Sequence, residues 1–266
     1  MPYAHGSHAG TARRLRALDA PTMTTDASSL VVGAEGSVTF PVPSFVIEHD
    51  RGLILFDTGF APRFYDDPVG YFGELANVLR IRTHPGQRLD RQLASLGFDT
   101  EDVTHVVLSH GHSDHAGGLG LFPRAEMIVG PGELEWARSP NRASARYFRW
   151  SEDLAPVEPQ RWTVVNGPAH DVLGDGSIIV LHTPGHTPGQ LSLVVRLPSQ
   201  TIVLTGDTVH LREGLDRLAP YPYDWDPQLA VRSLERLALL ERSGHRLWIA
   251  HDPHDWSRFE PLTPHC

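Results

Sequence analysis

Ser109-His110-Gly111-His112-Ser113-Asp114-His115-Ala116-Gly117-Gly118 places four potential metal ligands within six positions, directly after the apolar run Val106-Val107-Leu108. Histidines at alternating positions of an extended loop can aim two imidazoles at one ion, while the Asp and His that follow turn towards a second. The small neighbours let the backbone fold tightly around such a pair. Surface histidines beside an Asp helix cap would be the structural alternative, and the density of ligands argues against it. Three weaker signals lie further along, each at the end of a strand-like run: His186 in Thr183-Pro184-Gly185-His186-Thr187-Pro188-Gly189, Asp207 in Thr205-Gly206-Asp207-Thr208, and His251 in Ile249-Ala250-His251-Asp252. Alone, each reads as a turn or a hydrogen-bonded side chain. Together with the first segment they complete a ligand set: His110, His112, Asp114, His115, His186, Asp207 and His251.

Composition excludes much other chemistry. The 266 residues, 40% hydrophobic, can bury a sizeable core. A formal charge of −9 without a cationic cluster speaks against a nucleic-acid partner. All 23 basic residues are Arg, so neither a Schiff-base lysine nor a Walker-type phosphate loop is available. The single cysteine, Cys266, is the last residue, which leaves no internal disulfide and no Cys-rich zinc site. Apolar runs such as Ile178-Ile179-Val180-Leu181 are strand-sized, far short of the roughly 20 residues of a membrane helix. Arg13, Arg14 and Arg16 are not followed by the apolar stretch of a secretory signal. No membrane association and a cytoplasmic location are therefore expected.

Residues 1–28 lack periodicity and read as an irregular N-terminal extension, with one domain over 29–266; His5 and His8 in the extension could bind adventitious metal. The stretches Ser37 to Phe45 and Val46 to Phe56 have the alternation of a hairpin turned at Asp50-Arg51-Gly52. Leu89, Leu93 and Leu96 share a helical face over Arg88 to Leu96. Short strands are expected at His105 to Ser109, Glu126 to Val129, Trp162 to Val165, Ile178 to His182, Leu191 to Val195, Thr201 to Leu204 and Arg246 to Ala250. Asp226 and Pro227 form a cap and first turn for a helix that runs to Leu240 and stops before Gly244. Strand meanders with interspersed helices in both halves predict an α/β (α+β) fold with two sheets face to face and helices outside. The stretches 60–87 and 137–160 look like insertions that serve as lids or binding loops.

The ligand pattern, His-x-His-x-Asp-His followed by separate His, Asp and His, resembles the metallo-β-lactamase-fold superfamily from about Pro41 to Asp252. That resemblance implies a four-layer αββα sandwich with two metal ions at the loop edge of both sheets. It implies that His110, His112 and His186 hold one ion, Asp114, His115 and His251 the other, and that Asp207 bridges them. Asp57, in Phe56-Asp57-Thr58-Gly59, is expected to orient ligands from behind. Zinc suits a His-rich set with carboxylates, and iron, manganese or cobalt would fit the same ligands.

Within the superfamily, Asp207 argues for a bridged dinuclear esterase, lactonase, thioesterase or phosphoesterase. With 15 residues after His251, the helical region by which glyoxalase II-like thioesterases bind their substrate is not expected. The run Phe40-Pro41-Val42-Pro43-Ser44-Phe45-Val46-Ile47-Glu48 and the chain length are most similar to N-acyl homoserine lactonases. On that resemblance a hydroxide shared by the ions attacks the lactone carbonyl, and Asp207 or Asp114 carries a proton to the leaving alkoxide. Such lactonases have a Tyr three residues after the bridging Asp; His210 stands there in this chain, and it, or Tyr221 or Tyr223, is the candidate to hydrogen-bond the substrate. Phe60, Tyr65, Tyr71, Phe72, Trp136, Tyr147, Phe148 and Trp150 are candidates to cover an acyl tail. A small-molecule lactone or ester is thus the expected partner, with a homodimer possible; phosphodiester or phosphotriester hydrolysis and a purely structural metal module are the alternatives.

Overall fold

In the computed structural model, which describes residues 10–260 and 262–266, the alternating and apolar runs become thirteen strands. They are β1 (Arg14–Ala17), β2 (Thr22–Asp26), β3 (Ser37–Pro41), β4 (Phe45–His49), β5 (Gly52–Phe56), β6 (Val103–Val107), β7 (Glu126–Val129), β8 (Trp162–Val164), β9 (Ala169–Asp171), β10 (Ile178–His182), β11 (Leu191–Arg196), β12 (Thr201–Leu204) and β13 (Arg246–Trp248). One sheet has the order β1-β4-β5-β6-β7-β8, a second has β13-β12-β11-β10-β9, and β2 pairs with β3 alone.

The period of two along each strand decides how the layers stack. Phe45, Ile47, Ile54, Phe56, Val107 and Ile128 of the first sheet meet Ile178, Val180, Leu191, Leu193, Val195, Ile202 and Leu204 of the second in one buried cluster. The intervening residues are apolar too, and they face outwards onto helices. Val46, Leu53, Leu55, Val106 and Met127 pack with Leu89 and Leu93 of the helix Leu89–Ser95. Val203 and Leu247 pack with Leu234 and Leu237 of the helix Pro227–Arg242. A sheet with two apolar faces needs cover on both, and the four-layer αββα sandwich follows.

The sandwich also sets where functional loops emerge. β5, β6 and β7 run parallel, as do β12 and β13, so the segments that follow β5, β6, β12 and β13 leave from C-terminal strand ends. The amide of Leu191 donates to the Ser109 carbonyl at 2.8 Å and ties the two sheets together at that edge. The long helix begins as its sequence dictates: Asp226 Oδ1 accepts from the amides of Gln228 and Leu229, and Gly244, at φ 98°, ends the turn that follows.

Several expectations are corrected. Residues 14–26 are not irregular: β1 lies antiparallel to β4 with Leu15 and Ala17 buried, and β2 pairs with β3. Runs of four and five residues flanked by Arg and Thr carry too little periodicity to stand out, and ladder bonds to distant strands create them. Accordingly the hairpin turned at Asp50 joins only Phe45–His49 to Gly52–Phe56, since Ser37–Pro41 pairs elsewhere. The expected strand His105 to Ser109 is displaced to Val103–Val107, and those at Trp162 and Arg246 end at Val164 and Trp248. β9 was not expected. The stretches 60–87 and 137–160 contain short helices, including Pro68–Phe72 and Glu74–Val78. His5 and His8 lie outside the described residues. Among those residues no helix is long and apolar enough to cross a membrane.

Two substitutions probe this architecture. Trp248 is fully buried, stacked on Phe259 at 4.5 Å and edge-on to Phe45 at 5.0 Å. Trp248→Ala is expected to cost about 3–5 kcal/mol in urea unfolding, against about 1 kcal/mol for removing the cap with Asp226→Ala.

Candidate metal centre

Loop chemistry at the shared edge begins with Asp57, the residue after β5. Its φ of 62° is unusual for a residue with a side chain and costs roughly 1 kcal/mol or more. The conformation is held by hydrogen bonds: the Asp57 amide donates to the Val107 carbonyl, and Oδ1 accepts from the Ser109 amide at 2.7 Å. Oδ2 accepts from His115 Nδ1 at 2.8 Å, which turns Nε2 of His115 towards the other inward-facing side chains. The expected orienting role of Asp57 has a direct geometric basis.

Three of the other histidines have a partner on the far nitrogen. His110 Nδ1 lies 3.0 Å from Ser109 Oγ; His251 Nδ1 donates to the Pro41 carbonyl at 2.7 Å; His186 Nδ1 donates to Asp224 Oδ1 at 3.1 Å. His112 turns Nδ1 inwards, 3.2 Å from His186 Nε2, with Phe148 edge-on against its ring at 4.6 Å. The inward atoms fall into two groups, each within 4.8 Å: His110, His112, His186 and Asp207, and then Asp114, His115 and His251. Asp207 joins them. Its Oδ2 lies 3.8 Å from His110 Nε2 and 3.6 Å from His186 Nε2, while Oδ1 lies 3.3 Å from His115 Nε2 and 3.0 Å from His251 Nε2.

The donor set fits divalent cations. His110 Nε2, His115 Nε2 and Asp207 Oδ1 are buried without a hydrogen-bond partner, a costly state for polar atoms unless a cation occupies the space they face. Electrostatics points the same way. Burial pushes His110 and His112 well below the usual histidine range, so they are neutral donors. Burial also opposes charge on His115, but Asp207, Asp114 and Asp57 outweigh it and hold its pKa up to about 10. Burial works against the Asp207 carboxylate too, yet His115, His251 and His210 keep its pKa well below the usual carboxylate value.

All seven expected ligands and His210 thus converge. His210 is buried, its Nε2 3.2 Å from Asp207 Oδ2 and its ring stacked on Tyr221 at 4.4 Å. A cavity of about 230 Å3 opens onto the group, lined by Met23, Leu30, Phe40, Phe72 and Leu79 and by Arg146, Tyr147, Tyr221 and Tyr223. Of the aromatics expected to form walls, Phe72 and Tyr147 do so. Phe60, Tyr65 and Tyr71 pack into the core beside β3, and Trp136, Phe148 and Trp150 pack under the outer face of the first sheet. Sequence reasoning missed Asp224, whose Oδ2 also accepts the Tyr221 amide at 3.0 Å, and it missed the apolar wall from residues 23–40. Neither carries a spacing signal; Asp224 sits in a loop that only the fold wraps around His186. A third acidic group, Asp252, His254 and Asp255, is a helix cap: Asp252 accepts from the amides of His254, Asp255 and Arg212, and Asp255 pairs with Arg212 and Arg258.

A double-sheet sandwich that gathers imidazoles and carboxylates into two adjoining groups beside a cavity defines a metal-dependent hydrolase. The chain belongs to the metallo-beta-lactamase superfamily, whose family model matches residues 38–243. It is 35% identical over 226 residues to the N-acyl homoserine lactonase AttM of Agrobacterium fabrum, spanning 83% of this chain and 85% of that one. A probable metallo-hydrolase of Mycobacterium tuberculosis is 32% identical, covering 78% of this chain and 70% of its own. Among solved structures, an N-acyl homoserine lactone hydrolase with the product N-hexanoyl-L-homoserine at its catalytic metal centre superposes with a TM-score of 0.82. Its identity is 24%, over 95% of this chain and 98% of that one.

Asp57→Asn tests the orienting network. An amide presents one acceptor where Ser109 N–H and His115 Nδ1–H need two, so affinity for a divalent ion is expected to fall roughly 10–100-fold in a chelator competition.

Proposed function

We propose that this protein is a dinuclear metallo-lactonase that opens the ring of N-acyl homoserine lactones, and so quenches quorum signals of that kind. His110, His112 and His186 hold one ion, Asp114, His115 and His251 the other, and Asp207 is shared. The observation that carries this is the division of the Asp207 carboxylate, one oxygen facing each group of imidazoles. Zinc is the metal the His-rich donors favour, with iron, manganese or cobalt compatible. Two such ions would supply a water-derived nucleophile at neutral pH and would polarise a carbonyl oxygen.

The side chains around the ions define the rest. The apolar wall of Met23, Leu30, Phe40, Phe72 and Leu79 excludes water from an acyl tail. Asp114 is a half-buried carboxylate at the cavity, with Oδ2 3.6 Å from His115 Nε2; either it or Asp207 would take the proton lost by the attacking water and pass it to the ring oxygen as the ester bond breaks. His210 faces the same cavity, and burial, outweighing the pull of Asp207, lowers its pKa so that the ring is neutral. The single N–H of a neutral imidazole faces Asp207 Oδ2 at 3.2 Å, and His210 bonds the substrate by turning that N–H from Asp207 to a substrate oxygen. The homologous names support the substrate class, since relatives covering most of the chain are named N-acyl homoserine lactonases. A purely structural site would be closed on all sides, whereas here the donors open onto a cavity.

Ring opening of short- and long-chain N-acyl homoserine lactones, followed by pH-stat with protein of counted metal content, checks this. Rapid opening is expected, lost to near background in Asp207→Ala. Inert, fully metallated protein would reject the lactonase assignment, and turnover of aryl phosphate esters instead would make it a phosphoesterase. His210→Phe is expected to lower kcat/KM about tenfold, the value of one hydrogen bond, with the metal count unchanged. Full activity in that variant would remove His210 from the reaction.

A further inference from the structure

Glu133, the first residue of the short helix Glu133–Arg138, is a wholly buried carboxylate that no step above uses. Oε1 accepts from the Gly111 amide at 2.7 Å, and Oε2 accepts from the Gly189 amide at 3.0 Å. Gly111 stands between His110 and His112 on the loop after β6 of the first sheet. Gly189 closes the loop after β10 of the second sheet, the loop that carries His186. One side chain therefore bonds both loops that supply three imidazoles to the same group, and it does so across the two sheets.

The fit leaves little slack. A Cβ at Gly189 would lie 2.5 Å from Glu133 Cβ and 2.8 Å from the Gly130 carbonyl oxygen, and one at Gly111 would lie 3.1 Å from both Ala137 and Phe148. Only glycine lets the two backbones approach the carboxylate this closely. Among the described residues no Arg or His nitrogen lies within 4.0 Å of Glu133 to neutralise it. Burying a carboxylate in that way is expensive, and the amides of Gly111 and Gly189 with the nearby His186 offset part of the cost.

We propose that Glu133 is a positioning residue for the ion of His110, His112 and His186, fixing the distance between its two ligand loops as Asp57 fixes His115 on the other side. This rests on the dinuclear assignment above. The test is chelator titration of the metal-loaded wild type, Glu133→Ala and Glu133→Gln, counting ions per chain and locating any that remain by anomalous scattering. The wild type is expected to hold two ions. In Glu133→Ala one should be released at roughly 10–100-fold lower chelator concentration, with the survivor at Asp114, His115 and His251. Glu133→Gln, the same shape with one acceptor oxygen, should fall between the two and serves if the alanine variant does not fold. Its kcat for lactone opening should drop while KM stays. A wild type with fewer than two ions would overturn the dinuclear assignment and this inference with it. Two ions in the wild type that loosen equally in the folded variants, or not at all, would overturn the inference alone.

Discussion

Five imidazoles crowd around one buried carboxylate. Asp207 lies within 4.0 Å of nitrogen atoms from His110, His115, His186, His210 and His251, and a single negative charge cannot satisfy them all. Burial disfavours charge on five rings of the site, and the outcome is uneven: His115 and His251 are held more basic than usual, and His110, His112 and His210 less basic than usual. A divalent ion, which accepts lone pairs rather than competing for protons, is the kind of charge such a crowd of imidazoles and carboxylates suits.

Holding those groups in place falls to the sandwich. Ligands arrive on loops from both sheets, so the distance between the sheets sets the distance between ligands. The inner cluster of alternating aliphatic and aromatic side chains fixes that spacing. At the edge, the Leu191 to Ser109 backbone bond and the Glu133 carboxylate close the gap. Because each orienting partner sits on a different element, the metal centre draws on the packing of nearly the whole chain.

The cavity is built differently. One wall comes from chain outside the two main sheets, Met23 and Phe40 on the β2–β3 ribbon and Phe72 and Leu79 in the 60–87 excursion. The other is the aromatic group of Tyr147, Tyr221 and Tyr223, with Arg146 over the rings of Tyr147 and Tyr223 at 4.9 and 5.5 Å. The candidate ligands thus lie on loops of the two-sheet core and the cavity walls on appended segments. Such a division lets one chemical centre serve pockets of different shape.

Sequence alone brought forward the seven candidate ligands, the four-layer class, the cap at Asp226 and most strand positions, because each is written locally. His and Asp at metal-ligand spacing, β-branched runs and an Asp-Pro helix start need only their neighbours to be read. Tertiary structure decided that residues 14–26 are strands, that Phe72 and Tyr147 face the cavity while Phe60 and Trp136 do not, and that Asp224 and Glu133 serve the histidines. These are long-range facts. The His251 to Pro41 bond spans 210 residues and the Glu133 to Gly189 bond spans 56, and contacts at such separations leave no periodicity in the chain. They arise only when the sheets have packed and buried polar atoms must find whichever partners the fold has brought near.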